Sequence, residues 1–322
     1  MTEQRNFQAE NWSAMDAAVL AKSKALQVFC DRWDAPHPEA ALSNAMSELR
    51  KLTGQLVPPI GLQKILTLIN ARVVKSPMSP RGRLQATKFG WIIHVPPDAT
   101  WRVARFTIAH ELSHLLMFDA VSGERVLIEE LRTDDDLWWP IERLCDRGAA
   151  ELLIPGADMR AQVETQLPQT RTAALRIYDR YMVSPDVFMR RICDVGQNRS
   201  STVWQHKTHG SKPADWRITD VHSTLPKRSY IPKHLSAQSR LVPNLVEEAS
   251  RTGFAYAEEA TLTTGGQRHT GRMFAFNPTL RETDEVLPTF EGSVVPDNYS
   301  STIHLLIDHT SVGPISRRTK FG

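Results

Sequence analysis

Thr107-Ile108-Ala109-His110-Glu111-Leu112-Ser113-His114-Leu115-Leu116 is the stretch whose reading decides this chain. The apolar residues around it predict a buried helix over about Trp101 to Phe118, with Asp98 or Thr100 as its N-cap. On such a helix His110 and His114 stand one turn apart on the same face, so both imidazoles can reach one cation. Glu111 lies a step round the helix, close enough to touch a water on that cation and badly placed to be a third ligand. Two neutral imidazoles and a carboxylate base are the parts that hydrolytic zinc chemistry needs. Chance supplies such a pattern only roughly 0.02 times in a chain of this make-up. The bland alternative is a pair of satisfied core histidines, but buried imidazoles four apart beside a Glu need a common partner. Thr107 shares the face of His110 and either lines the site or fills space.

A second stretch supplies the missing ligand: Trp139-Pro140-Ile141-Glu142-Arg143-Leu144-Cys145-Asp146-Arg147-Gly148-Ala149-Ala150-Glu151-Leu152-Leu153-Ile154-Pro155. Pro140 suits the first turn of a helix and Pro155 stops it. Gly148-Ala149-Ala150 lets another helix approach closely. Glu142 and Asp146 are four apart on a face continued by Ala149, Ala150 and Leu153. An acid on such a close-packed face is costly without a cation or a proton donor. Glu142 is therefore the expected third ligand, 28 positions after His114. Asp146 either orients a histidine from behind or faces solvent.

"RFTIAHELSHLL" followed by "IERLCDRGAAELLIP" resembles the ImmA/IrrE family of bacterial zinc metallopeptidases, and among them the radiation-response members. The likeness covers roughly residues 40–195. Ile154 stands where Met is usual, and Cys145 and Gly148 where many members have Ala and Phe; neither departure touches a ligand. The resemblance implies zinc, with manganese as a substitute, on His110, His114 and Glu142, and Glu111 as general base. It also implies a site-specific endopeptidase whose substrate is a helix-turn-helix repressor, cleaved to derepress stress-response genes of the DNA-damage type. A rival from another class is a DNA-binding or ligand-sensing regulator whose metal is structural. Three protein ligands beside a Glu speak against that, since structural zinc is normally closed by four.

The remaining sequence bounds the answer. At 322 residues the chain is long enough for two domains. Its 39 basic and 36 acidic residues leave a formal charge of +3, with +1 before residue 200 and +2 after it, so neither half is a polyanion-binding arm. Cys30, Cys145 and Cys193 form no framework of pairs, which fits a reducing compartment. Residues 1–11 lack the apolar core of a signal peptide, and no apolar run approaches the roughly 18 residues of a bilayer span. A cytoplasmic protein without a membrane partner is expected.

In chain order, helices are predicted at 12–30, 39–53 and 62–70, then a small antiparallel sheet from 71–75, 83–87 and 91–95. Asp119 to Leu137 reads as an acidic loop. Helices at 157–166, 170–181 and 184–193 follow. The last two resemble a helix-turn-helix carrying Arg171, Arg176, Arg180, Arg190 and Arg191, which keeps DNA contact open without a base-reading cluster. Residues 196–213 read as a linker or a domain edge. Beyond them, strands at 216–221, 254–262, 272–277 and 301–308 and a helix at 241–252 make a mixed α/β unit. His206, His209, His222, His234, His269, His304 and His309 show no ligand spacing there and read as scattered surface or hydrogen-bonding residues. Longer family members carry a GAF-type sensor domain in this position. The expected fold is α+β: a mainly helical, zincin-like metallopeptidase domain over 1–160, a helix-turn-helix-like segment over 161–200, and a C-terminal α/β domain over 201–322.

Overall fold

The computed structural model describes residues 14–77, 82–163, 167–196, 198–209, 212–225, 231, 243–264, 267–278 and 302–314. The chain opens with helices α1 (Ala14–Leu20), α2 (Lys24–Arg32), α3 (Pro38–Leu52) and α4 (Leu62–Leu68). The single helix expected over 12–30 is two, because Ser23 starts a new one: its hydroxyl accepts the Leu26 N–H. Strands β1 (Ala71–Lys75), β2 (Arg83–Thr87) and β3 (Gly90–Val95) form a three-stranded sheet in the order β1-β3-β2. That sheet is mixed, which corrects the antiparallel expectation: β1 runs parallel to β3, and β2 antiparallel to it. The apolar Ile92, Ile93 and Val95 place β3 in the centre, so the two more polar strands are left at the edges.

Helix α5 (Trp101–Ala120) follows, capped by the Thr100 hydroxyl on the Val103 N–H. Asp119 to Leu137 is not a loop. It holds α6 (Arg125–Thr133) and the start of α7 (Asp135–Leu153). The acidic run reads as a loop by composition, yet Asp134 caps α7 by accepting the Asp136 and Leu137 N–H groups, and Asp135 and Asp136 sit favourably in its positive first turn. Pro140 consequently lies inside α7 and not in its first turn.

Helices α8 (Gly156–Val163), α9 (Arg171–Tyr181) and α10 (Pro185–Val195) come next, the last two capped by Thr170 and Ser184. Residues 196–213 are not a linker either: β4 (Arg199–His209) lies inside a five-stranded antiparallel sheet with β5 (Lys212–Ser223), β6 (Phe254–Thr264), β7 (Gln267–Phe276) and β8 (Thr302–Pro314), ordered β5-β4-β8-β7-β6. Its polar residues survive burial because they are partnered. Ser200 Oγ bonds Ser223 Oγ, and the Trp204 indole donates to Thr202. Helix α11 (Pro243–Thr252) covers one face of this sheet, where Val246 and Ala249 meet Trp204, Met273, Ile303 and Leu305.

The opposite face of that sheet packs on the helical half. Phe274, Phe276 and Leu306 join the main core, and the Phe276 ring meets Tyr178 and Phe188 edge-on or tilted at 5.6 and 6.3 Å. A polar seam runs beside it. Asp186, Arg190 and Asp194, one turn apart along α10, meet His304, Asp220 and His222 from the sheet. Among the arginines of the helix-turn-helix-like pair, Arg180 binds Asp158, Arg190 binds Asp220 and Arg191 binds Glu151, all within the chain. No helix among the described residues is long and apolar enough to cross a membrane.

Candidate metal centre

Helices α5 and α7 pack at the level of their small residues. A Cβ on Gly148 of α7 would stand 2.5 Å from both Leu42 Cδ2 and Ser113 Oγ, so only glycine lets α3 and α5 come this close. Ser113 Oγ donates to the Ala109 carbonyl at 3.1 Å and lies 3.3 Å from the Cys145 carbonyl, tying the two helices together. At the other end of α5, the buried Arg102 and Arg105 donate to the Val183, Met182 and Ile60 carbonyls. The His-Glu-x-x-His turn is therefore held at both ends. The sequence reading missed these anchors, although an arginine on an apolar helix face was a signal that it had a partner to reach.

Between the helices, three ligand-type groups converge. His110 Nε2 and His114 Nε2 are 3.2 Å apart, and the Glu142 carboxylate oxygens lie 3.3 Å from His114 Nε2 and 3.5 Å from His110 Nε2. A tetrahedral ion about 2.0–2.1 Å from each donor holds its donor atoms about 3.3–3.4 Å apart, so this triangle has the size of one face of such a site. Asp146 accepts from His110 Nδ1 at 2.8 Å. That bond turns Nε2 toward the centre of the triangle.

The electrostatics point the same way. Burial by itself would lower the His110 pKa, but hydrogen bonds to Asp146 and Glu142 outweigh it and push the value up to about 10. Glu142 is buried too, which would raise its pKa; the two imidazoles hold it well below the usual carboxylate range. Two carboxylates against one pair of rings thus favour positive charge at this spot, which a protonated imidazole or a bound cation would supply. His110, His114 and Cys145 offer a second, looser set, with donor atoms within 4.8 Å of one another. Cys145 is fully buried and its pKa is raised well above the ordinary thiol value, first by burial and then by Glu142, Asp146 and Glu111. Glu142, held in its charged form by the two rings, lies 3.3 and 3.5 Å from their Nε2 atoms.

Glu111 faces the neighbouring sheet. The Leu84 N–H of β2 donates to its carboxylate, and burial raises its pKa despite the opposing pull of His114 and His110. A Cβ on Gly82, just before β2, would stand 2.4 Å from Thr107 Cγ2 and 2.7 Å from Glu111 Oε1. Thr107 therefore packs toward this glycine, beside the general-base candidate. Among the described residues β2 has β3 on one side only, which leaves its other edge alongside α5.

Tyr178, Tyr181 and His94, oxyanion candidates by residue type, are committed elsewhere. Tyr178 lies in the ring cluster under Arg102, and the Tyr181 hydroxyl donates to Asp158 at 2.7 Å. His94 bonds Ser76 and Gln85 at 2.9 and 2.8 Å.

A helix bearing two histidines, a carboxylate brought by another helix and a mixed sheet alongside define a zincin-like fold. Residues 69–192 match the family profile described as an IrrE N-terminal-like domain, Peptidase_M78, which agrees with the resemblance to the ImmA/IrrE family. Among curated proteins no sequence matches. A solved structure described as a Mycobacterium tuberculosis transcriptional regulator is similar at a TM-score of 0.47 and 14% identity, over 89% of this chain and 80% of that one.

Proposed function

We propose that the chain is a zinc-dependent, site-specific endopeptidase in which His110, His114 and Glu142 hold the ion and Glu111 is the general base. The observation that carries this reading is the 3.2–3.5 Å triangle of His110, His114 and Glu142 donor atoms with Glu111 beside it. When bound, zinc with one position left open polarises a peptide carbonyl and makes a water molecule acidic enough to react near neutrality. Glu111 takes the water proton on its carboxylate and later passes it to the leaving amine. The Leu84 N–H against the Glu111 carboxylate favours its charged, proton-accepting form. Asp146 keeps His110 in the tautomer that presents Nε2. The edge of β2 suits an extended peptide that adds as a further strand beside α5.

The family resemblance supplies the substrate class, a helix-turn-helix repressor whose cleavage derepresses stress-response genes. The C-terminal sheet with α11 on one face supports a GAF-type sensor unit attached to that peptidase. Incubating the full chain with the repressor encoded nearest to it tests the proposal. Cleavage that stops with chelator and returns with zinc is expected; cleavage indifferent to chelator refutes it. Glu111→Gln keeps one metal per chain and loses cleavage by several orders of magnitude, whereas loss of the metal in that variant refutes the role given to Glu111. The rival regulator with a structural metal draws on one observation, Cys145 beside the two histidines. It predicts a site closed by four side chains and no cleavage under any metal supply.

A further inference from the structure

Helix α7 presents two donor types to the histidine pair. Glu142 and Cys145 are three apart, so a carboxylate and a thiol share the side of α7 that meets α5. The donor atoms of His110, His114 and Cys145 lie within 4.8 Å of one another. A tetrahedral ion with an imidazole nitrogen at about 2.05 Å and a thiolate at about 2.3 Å separates those atoms by about 3.6 Å. The sulfur therefore needs to approach by no more than about 1.2 Å, the scale of a small side-chain rotation. Thiolate is also the softer donor, favoured by zinc and by cobalt. Three protein donors leave a position for chemistry and four close it, so one side chain decides which kind of site this is.

Resting on the reading of His110, His114 and Glu142 as the metal site, we propose that Cys145 is a reserve fourth ligand. Its thiolate closes the coordination shell in a resting form of the protein, and withdrawal of the sulfur to its buried position opens the shell for hydrolysis. Closing forms one sulfur–metal bond, displaces one water molecule and releases the thiol proton to solvent. Opening reverses each of these, with no oxidant or reductant involved.

The test uses the full-length protein stripped of metal and reloaded with one cobalt(II) per chain. A sulfur-to-cobalt charge-transfer band in the near ultraviolet is expected. Cys145→Ala and Cys145→Ser lose that band while still taking up one cobalt, and the serine variant serves if the alanine cavity impairs folding. Cys30→Ala and Cys193→Ala keep the band. Stoichiometric cobalt without the band in the natural protein, or a band that survives in both Cys145 variants, overturns the closure and leaves the three-donor site standing. A band in the natural protein, with no peptide cleavage even in the Cys145 variants whose shell cannot close, refutes the peptidase reading instead and upholds the fourth ligand. A chain that takes up no cobalt overturns both.

Discussion

In the helical half, His110 is half-buried beside Asp146 and Glu142 and its pKa rises to about 10; in the C-terminal sheet, His309 is buried and its pKa falls to about 4. His309 has Ser200 Oγ at 2.9 Å and the His269 ring edge-on at 5.3 Å, and its Nδ1 has no hydrogen-bond partner. Burial works against the charged form in both places. What separates them is the neighbour. Carboxylates aimed at the ring nitrogens make a place for positive charge, whereas hydroxyls and another imidazole make a place where the ring stays neutral. Burial of a histidine by itself thus favours the neutral ring, and carboxylates within hydrogen-bond reach of the ring nitrogens reverse that.

The sharpest way to break this contrast is to remove a carboxylate from the first place. With Cys145→Ser in the background so that no thiolate can stand in, Glu142→Ala should abolish stoichiometric zinc binding, read by metal analysis after dialysis, and a double variant that still holds one zinc would mean that Glu142 is no ligand. Asp146→Ala should loosen zinc by about 10–100-fold in a competition titration, the usual effect of losing a ligand's outer hydrogen bond. An unchanged affinity would make the 2.8 Å contact incidental.

The second place answers to acid. The folded His309 pKa of about 4 lies below the unfolded value of about 6.5. Between those values the unfolded chain binds a proton that the folded one does not, so stability is full above about pH 6.5 and declines as pH falls toward 4. The complete shift corresponds to about 3 kcal/mol. His309→Gln should flatten that decline in urea titrations at pH 7 and pH 5; equal slopes in both proteins would assign the acid sensitivity elsewhere, with His269 and His304, also lowered by burial, the next to test. Smallest is the effect at the helix contact. Gly148→Ala forces Leu42 and Ser113 apart and should cost about 1–3 kcal/mol, with weaker zinc binding if it is this contact that sets the donor spacing.

The grouping of the candidate side chains was more legible than its setting. His110, Glu111 and His114 follow from a helical period, and Glu142 and Asp146 from acids on a small-residue face, because both signals are local and each helix folds as its pattern says. The same local reasoning failed wherever polar residues were partnered at long range. The acidic run at 134–136 looked like a loop and is a helix start, and Ser200 to Thr202 looked like a linker and lie within a buried strand. The C-terminal histidines expected at the surface or in hydrogen bonds fare better: His206 is exposed, and His222 and His309 bond Asp194 and Ser200, while His269 and His304 are buried. His234 and the side chain of His209 lie outside the described residues.

From the residues alone came the pair of rings one turn apart, the acid that stands beside them and the helix that brings another acid, since the period of an α-helix converts spacing into direction. Only the folded chain decided how far apart those helices stand, that Leu84 holds Glu111, that Cys145 shares the donors' neighbourhood and that α10 lies against a sheet. Those are distances between segments remote in sequence, set by which side chains fit against one another, and no period in a single segment encodes them.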